Sequence, residues 1–286
     1  MDNFVKESDF QITVPSFNKY FYISDKDKML FDYIYSISQF GANANVMLIG
    51  PHGCGKSESV KQYAASKNLK FFETNCSLYR EPRDFFGIKN ANQGNTYVKT
   101  TQILKAFQTE NCVILLDELN RCVPSVVNGL YGLLDDRRSV YFDEVGLINV
   151  AKGVTVFATR NVGLRYTGTM PSDISLLDRF NITLEVDFLP PEQEIKVLMK
   201  RTGIHADSAE LLVKFASTVR DKAAGLNSSL RNTISTRALI NCADMYTALG
   251  MQALDYTIMP LYSEDGGNDS ERSQVKLIRD IVFGQQ

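Results

Sequence analysis

The octapeptide Gly50-Pro51-His52-Gly53-Cys54-Gly55-Lys56-Ser57 constrains this chain more than any other stretch. It fits the spacing G-x-x-x-x-G-K-[ST], and it lies where a short apolar run, Asn45 to Ile49, gives way to a segment of helical period beginning at Lys56. The spacing has physical reasons. Glycines let successive backbone N–H groups turn inward around phosphate oxygens, and the helix N-terminus adds the positive end of its dipole. Lys56 is placed to reach the β and γ phosphates and Ser57 to ligate Mg²⁺, while Pro51, His52 and Cys54 stand where backbone faces the phosphate. A glycine turn closing an ordinary strand–helix unit would need neither lysine nor serine at those two places.

Further runs of strand character follow at Lys70 to Thr74, Cys112 to Leu116, Val154 to Ala158 and Ile182 to Val186, with helix-length segments such as Thr101 to Gln108 and Pro124 to Leu134 among them. This alternation predicts an α/β fold: a parallel sheet covered by helices on both faces. At Leu189-Pro190-Pro191 the period becomes helical, with Glu192 to Lys200, Ala209 to Asp221, Thr236 to Ala248 and Ser273 to Val282 as predicted helices and Ser263 to Glu271 as a polar loop. The expected organisation is an N-terminal segment 1–27, an α/β nucleotide-binding core 28–189, and a smaller helical lid domain with a C-terminal tail, 190–286.

Composition removes several function classes. The 31 basic and 33 acidic side chains lack the positive excess of a protein held mainly by nucleic-acid phosphates. Five cysteines without a C-x-x-C pair argue against a zinc framework or secreted disulfides, and two histidines, His52 and His205, leave little material for a metal or triad site. Met1 to Phe10 has no apolar stretch behind a basic head, so a cytoplasmic location is expected, and apolar runs such as Val113 to Leu116 are too short to predict a membrane span.

The second chemical signal is Val113-Ile114-Leu115-Leu116-Asp117-Glu118, an apolar strand ending in two carboxylates. Ligands of open α/β sheets sit at such carboxyl ends. Asp117 would hold the water shell of the metal, and Glu118 would polarise the attacking water. Together the two motifs predict hydrolysis of a nucleotide, with ATP and Mg²⁺ as the bound groups. Cys54, a thiol at a helix N-terminus, is a candidate for oxidative inactivation.

With these residues the chain resembles the AAA+ ATPases of the MoxR type, over about Tyr22 to Leu261. Asp117-Glu118-Leu119-Asn120-Arg121 is similar to the family's D-E-[IL]-N-R, and Ala158-Thr159-Arg160-Asn161 to its A-T-x-N, which implies that Asn161 is the sensor-1 residue orienting the lytic water. Leu177-Asp178-Arg179-Phe180 resembles L-D-R-F, which implies that Arg179 reaches the γ-phosphate of an adjacent subunit. Ser235-Thr236-Arg237 is similar to the S-x-R of sensor 2, which implies that Arg237 lies on a lid helix near the phosphates. Within the family, Asn161-Val162-Gly163-Leu164 and Tyr166-Thr167-Gly168 look most like the branch of the cobaltochelatase CobS subunit, with CbbQ and GvpN as relatives; Val162 replaces the family's proline. Plainer readings stand beside these: a turn cap for Asn161, a surface ion pair with Asp178 or Asp173 for Arg179, and exposed helix charge for Arg237.

The segment Arg80 to Thr101 has Gly87, Asn90, Asn92 and Gly94 at turn positions and predicts a hairpin, and a second is predicted from Ser139 to Phe142 and Leu147 to Val150. In the family the first region projects toward the pore of a ring, so Lys89 to Thr96 would touch substrate; an ordinary surface hairpin is the alternative. The resemblance further implies a homo-oligomer closed as a hexameric ring, a protein substrate remodelled by hydrolysis, and a partner with a von Willebrand A domain. Two competing functions use the same core: a non-hydrolysing scaffold, and a nucleic-acid translocase or nuclease-associated, possibly GTP-using NTPase with Lys89, Lys99 and Lys105 lining the pore. Only the latter would show polynucleotide-stimulated hydrolysis lost steeply with salt.

Overall fold

The computed structural model describes residues 12–92, 95–161, 174–225, 228–267 and 270–284. They form two compact units, one of Met1–Lys19, Ile23–Gly50 and Lys56–Val186, the other of Tyr20–Tyr22, Pro51–Gly55 and Asp187–Gln286. The first unit runs α1 (Asp25–Ser38), β1 (Asn45–Gly50), α2 (Lys56–Ser66), β2 (Lys70–Asn75), α3 (Pro82–Phe86), β3 (Gly87–Asn92), β4 (Asn95–Thr100), α4 (Gln102–Phe107) and β5 (Cys112–Asp117). It continues with α5 (Pro124–Leu134), β6 (Ser139–Phe142), β7 (Gly146–Asn149), β8 (Thr155–Asn161), α6 (Ile174–Leu177) and β9 (Ile182–Glu185).

Five of these strands make a parallel sheet in the order β2-β5-β8-β1-β9. The near-continuous apolar runs of the three central strands β5, β8 and β1 suit strands covered on both faces, while the edge strands β2 and β9 keep exposed positions. Side chains alternate across such a strand. Ile114 and Leu116 therefore join Met47, Phe72, Val156 and Ala158 in one core with side chains of α3, α4 and α5. Val113 and Leu115 join Val46, Leu48, Phe71 and Phe157 in another, with α1 and α2. Phe31 of α1 locks the second core, edge-on to Tyr63 at 5.3 Å and to Phe157 at 4.9 Å between ring centroids. The expected helix-covered parallel sheet is thus what the chain forms.

Register decides what the sheet presents. Gly50 pairs with Asn161 between β1 and β8, and Asn75 with Asp117 between β2 and β5, so four polar or turn positions meet at the carboxyl edge. Both predicted hairpins form, β3–β4 from Gly87↔Thr100 to Asn92↔Asn95 and β6–β7 from Ser139↔Asn149 to Phe142↔Gly146. The second pairs Tyr141 with Leu147, and both side chains are exposed.

The second unit is helical: α7 (Pro191–Thr202), α8 (Ala206–Ala224), α9 (Thr236–Leu249), α10 (Gln252–Thr257) and α11 (Glu271–Phe283). Helix α7 starts on Pro191 with Glu192 and Glu194 in its first turn, carries Lys200 and Arg201 in its last, and stops at Gly203 with φ +72°. Each choice satisfies the dipole or the turn geometry of its end. Leu198, Leu212, Phe215, Leu239, Ile258 and Phe283 anchor its core. Among the described residues no helix is long and apolar enough to cross a membrane.

Candidate active site

At the carboxyl edge of the sheet, Lys56 is 6% exposed, and its ammonium donates to the Gly50 carbonyl at 2.9 Å and to Asn161 Oδ1 at 3.0 Å. Burying that cation so completely is tolerable only because acceptors surround it. Beside it, Ser57 Oγ donates to Asp117 Oδ1 at 2.7 Å, and Thr159 Oγ1 donates to the same oxygen at 2.6 Å. Thr159 Oγ1 in turn accepts from the Glu118 backbone N–H at 2.9 Å. This hydroxyl therefore fixes the position of one carboxylate and the backbone of the next.

Glu118 is held from several directions. Its Oε1 accepts from Asn161 Nδ2 at 3.1 Å, its Oε2 accepts from Asn75 Nδ2 at 3.3 Å, and Arg121 Nη1 lies 3.4 Å from Oε2. Its backbone is left-handed, φ +54° and ψ +46°, which costs a residue with a Cβ about 1–2 kcal/mol. The carboxylate is thus turned back toward the strand ends by a conformation that only its surroundings sustain. Behind it the Cys76 thiol, hydrogen-bonded to Cys122 and fully buried, is held well above the ordinary thiol range, and Asp117 and Glu118 push the same way. The same hydrogen bond holds the Cys122 thiol below the ordinary range. Cys54 is also buried, at 7% exposure.

The glycine loop contributes within the second unit. Gly53 has φ +71°, and a Cβ built on it would lie 2.6 Å from Ser235 Cβ and 2.8 Å from Ser235 Oγ, with Arg237 Cβ at 3.7 Å. The loop and the Ser235-Thr236-Arg237 turn are therefore in direct contact. Ser235 caps α9 by accepting from the Ala238 N–H, and Arg237 is exposed, without a hydrogen bond or ion pair among the described residues. Gly55, at φ +102°, faces the Phe21 ring.

Arg179 is placed apart from the Lys56–Glu118 group: its partners are the Ser175 carbonyl and the face of Tyr131, 4.1 Å from guanidinium carbon to ring centroid. Its backbone carbonyl accepts from Asn45 Nδ2 at 2.7 Å, and its Nε is buried with no acceptor. Among the described residues it forms no ion pair, so the surface pairing with Asp178 is absent; Asp173 lies outside the described residues, as do Val162 to Leu164 and Tyr166 to Gly168. The Asp135 carboxyl is held below the usual carboxylate range, first by the Arg137 hydrogen bond and in lesser part by the field of Arg179.

Among the described residues no cluster of three or more His, Cys, Asp or Glu side chains could hold a metal ion. Ser57 and Asp117 offer a hydroxyl and a carboxylate, hard oxygen donors of the kind used by an ion that keeps water and phosphate oxygens in its remaining positions, as Mg²⁺ does. The residues fit that ion. Asn75 and Thr159 are the members that motif reading did not assign; a polar residue closing a strand is common, and only the register of β2 against β5 reveals that Asn75 faces the Asp117–Glu118 corner.

A family model for an AAA domain of the dynein-related subfamily matches residues 45–180, and one for a CbbQ/NirQ/NorQ C-terminal region matches residues 194–270. A protein of Thauera aromatica bearing the name "Putative chaperone BssE" is 38% identical over 240 residues, which span 84% of this chain and 82% of that protein. An uncharacterized protein of Staphylococcus haemolyticus is 27% identical over 246 residues, 83% of this chain and 92% of the relative. Among solved structures, the RuvB Holliday junction branch migration motor of Thermotoga maritima superposes with a TM-score of 0.53 at 18% identity, over 88% of this chain and 72% of that one, a likeness of fold alone.

Proposed function

This chain belongs to the MoxR-like AAA+ ATPases of the CbbQ/NorQ branch, and from that premise we propose that it hydrolyses ATP with Mg²⁺ to remodel a protein partner. The observation that carries the reading is the continuous set of contacts Lys56–Asn161–Glu118, with Ser57–Asp117–Thr159 beside it, at the carboxyl ends of parallel strands. In this reading Lys56 exchanges its protein acceptors for β and γ phosphate oxygens, and the loop from Gly50 through Gly55 offers backbone N–H groups to the same phosphates. Ser57 and Asp117 would hold Mg²⁺, which supplies charge neutralisation to the transferring phosphoryl group. Asn161 orients the lytic water, and Glu118 accepts its proton at a side-chain oxygen. Arg237 senses the γ-phosphate from the N-terminus of α9.

Arg179 would act on the nucleotide of a neighbouring copy, completing each site only in an assembled ring; the heterologous interface that this needs closes by rotation, and six copies are our proposal. Its place apart from Lys56 and Glu118, on a side chain held by Tyr131 and Ser175, supports a target outside its own chain. A von Willebrand A domain protein is the proposed partner, with the β3–β4 hairpin meeting a protein substrate. The domains assigned from sequence, 28–189 for hydrolysis and 190–286 as a lid, complete this proposal.

The test is a pair of variants. Lys56→Ala should lose nucleotide binding. Glu118→Gln should bind ATP with near wild-type affinity and slow turnover by about 10²–10⁴-fold, the usual worth of a positioned base. Unaltered turnover in Glu118→Gln would refute its assignment.

A further inference from the structure

Deep in the helical unit is an ion pair that the proposed chemistry does not use. Glu194, in the first turn of α7, is 0% exposed, and its carboxylate accepts from both terminal nitrogens of Arg220 on α8, Nη1 to Oε2 at 2.7 Å and Nη2 to Oε1 at 2.9 Å. Arg220 is spent further: its Nε donates to the Ile234 carbonyl at 2.8 Å, and its guanidinium carbon lies 4.0 Å from the centroid of the Phe188 ring. The remaining contact of Glu194 is the informative one. Thr236 Oγ1, itself buried, donates to Oε1 at 2.6 Å.

Ile234 and Thr236 flank Ser235, whose side chain meets the glycine loop at Gly53, and Arg237 follows directly. Two charge-assisted hydrogen bonds thus pin the backbone just before the Ser235-Thr236-Arg237 turn and the side chain in its middle to one rigid, bidentate pair. A buried pair of this kind contributes little net stability, because desolvation offsets its attraction; its best-attested use is to fix register. Here the register is that of the α9 N-terminus against α7 and α8.

We propose that Glu194, Arg220 and Thr236 are positioning residues for Arg237: they set the direction in which α9 presents that guanidinium, and Phe188, stacked on Arg220, ties the segment entering α7 to the same point. The proposal rests on the reading of Arg237 as a γ-phosphate sensor. Charge or bulk at these positions acts through Arg237 and the turn before it, without contact with nucleotide.

The test uses the full chain and the ratio of the Kd for ADP to the Kd for a slowly hydrolysed ATP analogue, which a general softening of the fold would not move. Glu194→Ala or Arg220→Ala strands a buried charge and risks unfolding the unit, so the working variant is Thr236→Val, which keeps both members of the ion pair and exchanges the hydroxyl for a methyl group that cannot donate to Glu194. The ratio should fall about fivefold, at the lower end of coupling between sites. Thr236→Ser should restore it, and Thr236→Val combined with Arg237→Ala should be no worse than Arg237→Ala alone. Equal weakening of both nucleotides by Thr236→Val, no rescue by serine, or additive effects in the double variant would overturn the inference while leaving the sensor intact. An unchanged ratio in Arg237→Ala would overturn the sensor reading itself, and this inference with it.

Discussion

The contact between the glycine loop and the turn before α9 has a measurable energy. In Gly53→Ala the new methyl group meets two separate obstacles. At φ +71° a residue with a Cβ loses about 1–2 kcal/mol to its own carbonyl, of which about 0.4–1 kcal/mol is returned by the lower entropy of the unfolded chain, leaving about 1 kcal/mol. The methyl would also lie 2.6 Å from Ser235 Cβ and 2.8 Å from its Oγ, distances that force something to shift, and such overpacking costs about 1–3 kcal/mol. Gly53→Ala should therefore lose about 2–4 kcal/mol in all. Ser235→Gly removes both obstructing atoms and, since glycine is a tolerable cap, costs only a few tenths of a kcal/mol, roughly 0.3. In that background Gly53→Ala should cost only its backbone part. Equilibrium urea unfolding followed by circular dichroism reads all four corners of the cycle, the chain having no tryptophan to follow. A coupling of about 1–3 kcal/mol is expected; additivity within about 0.3–0.5 kcal/mol would refute the contact.

Arg179→Ala should bind nucleotide and lose turnover by about 10³–10⁵-fold, and mixing in subunits with intact Arg179 but Glu118→Gln should restore part of it; no restoration would remove the role in trans. Alkaline stability is a second check on the cores. Burial pushes the Cys112 thiol up to about 12 and the Cys242 thiol up to about 11, both from 9.0. Between about pH 9 and 11 the unfolded chain releases protons that the folded chain keeps. Stability present below pH 9 should therefore fall as pH rises, by up to about 1.4 kcal/mol per pH unit for each thiol. Cys112→Val should remove one share of that slope; a slope equal to wild type would show that the thiol ionises freely when folded.

How much of this was legible before the structure depends on which physical signal each part carries. The strands were readable because a strand covered on both faces must be apolar at nearly every position, as β5 is. Helix α1 escaped a period reading although Ser24 caps it and Phe31, Ile34 and Ser38 line its buried face. Its outer face carries Met29 and Tyr33, 66% and 58% exposed, so apolar residues fall all round the helix and blur the stripe. Helices α3 and α10 are five and six residues long, too short to show a period at all. At the site, Lys56, Ser57, Asp117 and Asn161 belong to motifs whose spacing is local. Asn75, Arg220 and Glu194 do not: Asn75 matters only through pairing with a strand 42 residues later in the Asn75↔Asp117 register, and Glu194 meets Arg220 across 26 residues. Side chains brought together by tertiary packing leave no spacing to read.

The same geometry bears on how binding and hydrolysis would be linked. A buried ammonium is stabilised by about 1.5–3 kcal/mol per charged hydrogen bond, and Lys56 makes such bonds to Gly50 O and Asn161 Oδ1. Replacing either of these neutral acceptors by an anionic phosphate oxygen would turn an ion–dipole bond into an ion pair, so the exchange would favour bound nucleotide, in line with the loss of binding expected for Lys56→Ala. Further affinity would come from the backbone N–H groups of the loop and from the metal that Ser57 and Asp117 would hold. What the exchange changes is Asn161. Released from Lys56, its carboxamide keeps only its Nδ2 bond to Glu118 among the side chains of this cluster, and the two can reorient as a pair. Asn75 and Arg121 hold the opposite oxygen of Glu118, at 3.3 and 3.4 Å, near the long limit of useful hydrogen bonds, where little free energy resists a shift. Glu118 is therefore restrained firmly in its backbone and loosely in its carboxylate. That combination suits a base that must be kept near its target yet wait for nucleotide before taking its final orientation.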